Sequence, residues 1–173
     1  MKKINHGRKT PPDAELSTDR RRGGVVYLIY AIVTTLILIA DRLTKMLVMS
    51  KMVEGESIPL LPPVLYLTYV HNKGAAFGFL KGQVIFLSLV SLAFIVVIAT
   101  QWKKIKAKSF FTRWGIVISF AGAIGNLIDR ILYRSVVDFI DIRIFIFNIA
   151  DVAIVLGAAL LFWEVVIHDR KTR

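Results

Sequence analysis

Asp151 stands fifth in the stretch FNIADVAIVLGAALLFW, Phe147–Trp163, which otherwise reads as the opening of a helix made for hydrocarbon. A carboxylate in such a place is costly, and the usual reason for one is function. Asp41, Asp129, Asp138 and Asp141 accompany it among or beside the apolar segments. Two carboxyl groups that share one proton can activate water against a peptide bond. The ionised member takes a proton from the water as it attacks the carbonyl. The protonated member polarises that carbonyl and later helps the leaving amine depart. Asp151 with Asp138 or with Asp129 meets this need.

Local context separates the candidates. Asp138, in SVVDFID, lies among apolar neighbours, and burial there raises a carboxyl pKa and favours the protonated partner. Asp129 is followed by Arg130 and preceded one turn earlier by Asn126, which suits an architectural clamp better than a proton-sharing pair. Asp41 and Lys45 are spaced i,i+4 and pair along one helix face. Asn148 stands where it can cap the helix that Asp151 enters, and the first turn of that helix favours a negative charge. Asp141 reads as a solvated strand residue. Other chemistries find little support. There is no cysteine, which excludes thiol catalysis, thiolate metal sites and disulfides. His6, His71 and His168 are far apart and form no HExxH pattern, so no metal is expected. Ser88, Ser91 and Ser119 fall inside apolar segments, but no lysine accompanies them at that depth.

The elements that must position these groups are membrane spans. Hydrophobic residues make up 55% of the 173, against roughly 45–50% in soluble domains, and the mean hydropathy is +0.62. The net charge of +11 would suit a nucleic-acid binder, but the basic residues lie in the flanks between apolar runs, as membrane topology demands. Residues 1–24 read as a disordered basic tail, and the apolar run after them as a retained helix, since no convincing small-residue cleavage site follows. Four apolar segments are predicted as helices: Val25 to about Leu47, Val84 to Trp102, Trp114 to about Tyr133, and Ile149 to about Ile167. Each approaches the roughly 20 residues that a bilayer requires. Gly115, Gly122, Gly125 and Gly157 lie in the third and fourth, where small residues permit close helix contact. Fifteen of the 23 Lys and Arg residues lie in the tail, the link between the second and third helices, and the C-terminus. That side is expected to be cytoplasmic, with both termini inside. The other two connections then face outward, and the five aspartates named above gather at that outer edge. VLYLTYV (64–70) and IDIRIFIF (140–147) have the composition of strands, so a small sheet on the outer membrane surface is expected.

At these motifs the sequence resembles signal peptidase II, the bacterial lipoprotein signal peptidase family. DRLTK (41–45), HNKGAAFG (71–78), AGAIGNLIDR (121–130), VVDFID (136–141) and FNIAD (147–151) occur in the family's order. The resemblance implies four transmembrane helices with a small extracytoplasmic sheet that cradles the substrate. It implies an aspartic endopeptidase of the bacterial cytoplasmic membrane that cuts diacylglyceryl-modified prolipoproteins just before the lipidated cysteine. The VVDF and FNxAD motifs map the catalytic pair to Asp138 and Asp151. Asn72, Gly74, Asn126, Arg130 and Asn148 map to residues lining the site, Asp129 is a further motif residue, and Asp41 with Lys45 map to a supporting pair. No cofactor is implied. The implied partners are lipidated prolipoproteins and membrane lipid, with no nucleic acid and a monomeric enzyme. Ala121 stands where two glycines often begin the GNLIDR block, and the segment between VVDF and FNIAD is short. The rivals are an ion- or proton-coupled transporter component, against which the absence of a mid-span carboxylate counts, and a scaffold in which every aspartate pairs with Arg or Lys. The GxGD signature of presenilin-like proteases is absent. Glycines 74 and 78 would let the HNKGAAFG block move over the site.

Overall fold

A computed structural model describes residues 12–74, 82–105 and 107–171, with side chains omitted for residues 12–23 and 167–171. Two compact units divide the chain, Met1–Val33 and Thr34–Arg173. Where it is described, the first unit is helical and forms the N-terminal part of α1 (Pro12–Lys51). The helix therefore begins within the basic segment read as a tail, whose residues 1–11 lie outside the described residues. The second unit holds the rest of α1, the strands β1 (Ser57–Leu61), β2 (Leu65–Asn72), β3 (Val136–Asp141) and β4 (Ile146–Phe147), and the helices α2 (Val84–Ile105), α3 (Phe110–Tyr133) and α4 (Ile149–Lys171).

Among the described residues four helices are long and apolar enough to cross a bilayer: Gly24–Lys51, Val84–Ile105, Phe110–Tyr133 and Ile149–Val166. Their ends follow local signals. Ser109 caps α3, its hydroxyl accepting the Thr112 N–H at 3.2 Å. Arg134 closes α3 in the left-handed region at φ 54°. Lys103 and Lys104 end α2 in charge. Helices α3 and α4 pack through small residues, and a Cβ at Gly122 would run into the Ala150 carbonyl. In lipid no hydrophobic force drives helices together, so such close backbone approach supplies the dispersion contact instead.

The sheet is antiparallel in the order β1-β2-β3-β4. It seats on the ends of α1 and α3, where Val48 and Met52 bury against Tyr69, Val137 and Phe139, with Tyr133 and Ile149 packed around them. Strand alternation then points Asp138 away from that core and toward the start of α4. Two expectations change. The strand read over 140–147 is broken by a turn, with Ile142 N–H donating to the Phe145 carbonyl at 3.2 Å and Arg143 at φ 69°. β1 was not foreseen: Pro59 argues against a strand, but an edge position tolerates a proline.

Candidate active site

Beneath the site lies a buried charge cluster. Lys45 is 0% exposed, so its charge must be balanced inside the protein. Its Nζ lies 2.8 Å from Asp41 Oδ2 and 2.9 Å from Asp129 Oδ2, and donates to Asn126 Oδ1 at 3.4 Å. Arg42 donates to Asp129 Oδ1 at 2.9 Å and to the Tyr133 hydroxyl. Two cations thus face two carboxylates. Each carboxylate also accepts a backbone N–H from an element that carries a candidate catalytic residue. Asp41 Oδ1 takes the Ala150 N–H at 2.9 Å, at the positive end of α4. Asp129 Oδ2 takes the Val137 N–H of β3 at 3.1 Å. Asp41 can reach Ala150 because Gly125 leaves room: a Cβ there would come 2.9 Å from Asp41 Oδ2 and 3.1 Å from Ala150 Cβ. The cluster ties α1, α3, β3 and α4 together.

Above it, Asp138 and Asp151 are joined through two asparagines. Asn148 Nδ2 donates to Asp138 Oδ1 at 2.6 Å and to Asn126 Oδ1 at 3.2 Å. Asn126 Nδ2 donates to Asp151 Oδ1 at 2.7 Å. Asn148 is also the N-cap of α4. Its Oδ1 accepts the Asp151 N–H at 2.9 Å, while its own N–H donates to Asp151 Oδ2 at 3.3 Å. This is a reciprocal capping box, with aspartate in the third position. The cap that starts the helix therefore also orients both carboxyl groups. Asp138 is buried and Asp151 half-buried. Burial, and then the nearby Asp151 charge, push the Asp138 carboxyl up to about 7, against the opposing pull of its Asn72 and Asn148 hydrogen bonds and of Lys45. Asn72 supplies the third side: its Nδ2 donates to Asp138 Oδ2 at 2.8 Å, while its Oδ1 accepts the Gly74 N–H at 2.9 Å.

The structure gathers Asp41, Lys45, Asn72, Gly74, Asn126, Asp129, Asp138, Asn148 and Asp151 into one bonded network. Arg130 stands beside it: it feels the charges of Asp151, Asp138 and Asp129 and donates to Ser91 Oγ of α2 at 3.4 Å. Two readings are corrected. Asp129 pairs with Arg42 and Lys45 rather than with adjacent Arg130, because successive residues on a helix point in different directions. Asp141 is buried, not solvated. It accepts the Thr68 hydroxyl at 2.7 Å and the Arg143 N–H at 2.6 Å. Burial raises its carboxyl pKa, but these bonds and the Arg143 charge outweigh it and hold the group below the usual carboxylate value. Arg42 escaped the sequence reading, although it belongs to the DRLTK block. Gly78 lies outside the described residues. Among the described residues no group of three or more His, Cys, Asp or Glu is arranged to hold a metal.

Two carboxyl groups linked through asparagine amides, one of them pushed up to about 7 by burial and its neighbour's charge, can stand as one protonated and one ionised member and so divide the roles of acid and base. Comparison with known proteins places the chain in a family. The family model described as signal peptidase (SPase) II matches residues 33–167. A lipoprotein signal peptidase of Pelotomaculum thermopropionicum is 42% identical over 142 residues, 82% of this chain and 93% of that protein. One from Halalkalibacterium halodurans is 43% identical over 152 residues, 84% of this chain and 97% of that protein. A bacterial membrane enzyme structure obtained by the in meso method at 2.3 Å resolution matches with a TM-score of 0.78 at 30% identity, covering 84% of this chain and 92% of that one.

Proposed function

This chain belongs to the signal peptidase II family, and on that premise we propose that it is an aspartic endopeptidase in which Asp138 and Asp151 share the catalytic proton. It removes the signal peptide of diacylglyceryl-modified prolipoproteins by cutting just before the lipidated cysteine. The observation that carries this reading is the bridge Asp138–Asn148–Asn126–Asp151, together with an Asp138 carboxyl pushed up to about 7. Near neutral pH Asp138 holds the proton and polarises the scissile carbonyl. Asp151 takes a proton from one water as its oxygen bonds to the carbonyl carbon. The carbon–nitrogen bond then breaks, with the Asp138 proton leaving on the amine. The proton gained by Asp151 restores the shared state. Arg130, Asn72 and Gly74 line the same space and support the substrate chain.

The distribution of Lys and Arg supports an orientation with both termini in the cytoplasm and the dyad at the extracytoplasmic edge of the bacterial cytoplasmic membrane. Water is available at that level and scarce deeper in the hydrocarbon. The signal helix enters sideways from the bilayer, and its acyl chains stay in lipid. The enzyme works as a monomer without a cofactor, its basic N-terminal segment meeting anionic headgroups.

The test is mass spectrometry of a diacylated model precursor incubated with purified protein. Wild type releases the signal peptide with its new terminus just before the lipidated cysteine. Asp138→Asn and Asp151→Asn each lose on the order of 10²–10⁴ in rate, the usual worth of a general acid or base. Wild-type cleavage by either variant overturns the dyad, and cleavage elsewhere overturns the site of attack.

A further inference from the structure

His71 is the one histidine whose side chain is described, the chemistry above leaves it unused, and it is bonded at both ring nitrogens. We propose that His71 is a positioning residue for the reaction: it ties the end of β2 to the α3–β3 junction and so sets the Asn72 amide against Asp138. The inference rests on the dyad reading.

The ladder between β2 and β3 changes register between Leu67 and Val70. The last residues of β2 therefore pair as a separate patch, with Val70 opposite Asp138, His71 opposite Val137 and Asn72 opposite Val136. So short a patch at a strand end is a weak hold for a group that must stay fixed. Alternation sends neighbouring side chains to opposite faces. Asn72 points toward Asp138, while His71 points toward the core that contains Tyr69 and Val137. There His71 Nδ1 lies 2.7 Å from Ser135 Oγ, and Nε2 lies 2.7 Å from the Tyr69 hydroxyl. Ser135 is buried at the turn from α3 into β3, and its hydroxyl donates to the Tyr133 carbonyl at 3.3 Å. That donation leaves Ser135 Oγ to accept from Nδ1–H, so Nε2 accepts from Tyr69 O–H. One neutral tautomer satisfies every group in the series. The ring also packs against those of Tyr69 and Tyr133, with centroids 5.4 and 6.1 Å away.

On the other face Gly74 N–H occupies Asn72 Oδ1, so Nδ2 is the end left for Asp138. If β2 drifts at His71, that donor moves away from the carboxyl. The charged groups around Asp138 are Asp151 of α4, Lys45 of α1 and Arg130 of α3, and none of them touches His71 in a hydrogen bond. A donor on Asp138 favours its ionised form. Its loss moves the upper apparent pKa of the pair, and with it the basic limb of the rate profile, to higher pH.

The experiment is the pH profile of precursor cleavage by His71→Phe, which keeps a ring between the tyrosines and removes both hydrogen bonds. The basic limb moves up by about one pH unit, the worth of one charge-assisted hydrogen bond. kcat on the plateau falls about ten-fold, because the carboxyl that polarises the carbonyl is no longer held in place by the Asn72 amide, with KM little changed. His71→Asn, whose Nδ2 stands in for Nδ1, returns both toward wild type. Ser135→Ala removes only the far partner and shifts the limb in the same direction, which keeps the test decisive if His71→Phe does not fold. Limbs at the wild-type position in both His71→Phe and Ser135→Ala overturn the inference. Asp138→Asn run in parallel separates the two failures, since an active Asp138→Asn sinks the dyad instead.

Discussion

Replacing Lys45 with methionine keeps the side-chain length and removes the charge that two carboxylates depend on. The loss is unequal. Asp129 keeps Arg42 at 2.9 Å and the Val137 N–H at 3.1 Å. Asp41 keeps only the Ala150 N–H at 2.9 Å. Both carboxylates are buried, Asp41 at 2% and Asp129 at 0% exposure, so water cannot replace the ammonium. Breaking a buried pair from one side costs about 3–5 kcal/mol. At roughly 2–4 °C per kcal/mol for a domain of this size, the melting temperature falls by about 6–20 °C. The assay is thermal unfolding in detergent micelles, followed by intrinsic fluorescence. The rescue pattern is the sharper test. Asp41→Asn on the Lys45→Met background recovers more than half of the loss, because the amide oxygen still accepts the Ala150 N–H and no orphan charge remains. Asp129→Asn on the same background recovers less, because it leaves Arg42 without its carboxylate. A Lys45→Met melting point within about 2 °C of wild type, or better rescue by Asp129→Asn, refutes the reasoning.

Asn148→Ala removes the α4 cap, worth about 1 kcal/mol, and cuts both the Asp138 bond and the bridge to Asn126. Its cleavage rate therefore falls by far more than its stability does, which parallel melting and precursor assays will measure. The Asp138 carboxyl stands at about 7 in the fold against 3.8 for an unperturbed aspartate. The folded state thus favours the protonated form. That contribution is complete below the unfolded value and is lost as pH rises through about 7. Wild type should melt lower at about pH 8 than at about pH 5, and Asp138→Asn should show a smaller difference between the two.

Local features carried a large part of the fold into the sequence. Runs of apolar residues marked all four spans, because a helix in lipid must satisfy its backbone within itself and clothe it in hydrocarbon. The Asn148 cap and the Asp41–Lys45 pair were also legible, since their partners lie within one turn. Non-local pairing was not. Asp129 sits beside Arg130 in sequence yet bonds Arg42 and Lys45 from another helix. Asp141 looked solvated until Thr68, on the neighbouring strand, was found against it. β1 carries a proline and became a strand because β2 offered it an edge.

The sequence by itself determined that this chain crosses a membrane and that Asp41, Asp129, Asp138, Asp141 and Asp151 collect at one end of the helices. Hydropathy and helix period act over a few residues, so both can be read along the chain. Only the tertiary structure decided which aspartates meet through asparagine and which are neutralised by buried cations. A carboxylate's role depends on the donors within about 3 Å of it, and here those donors arrive from helices and strands far apart in sequence.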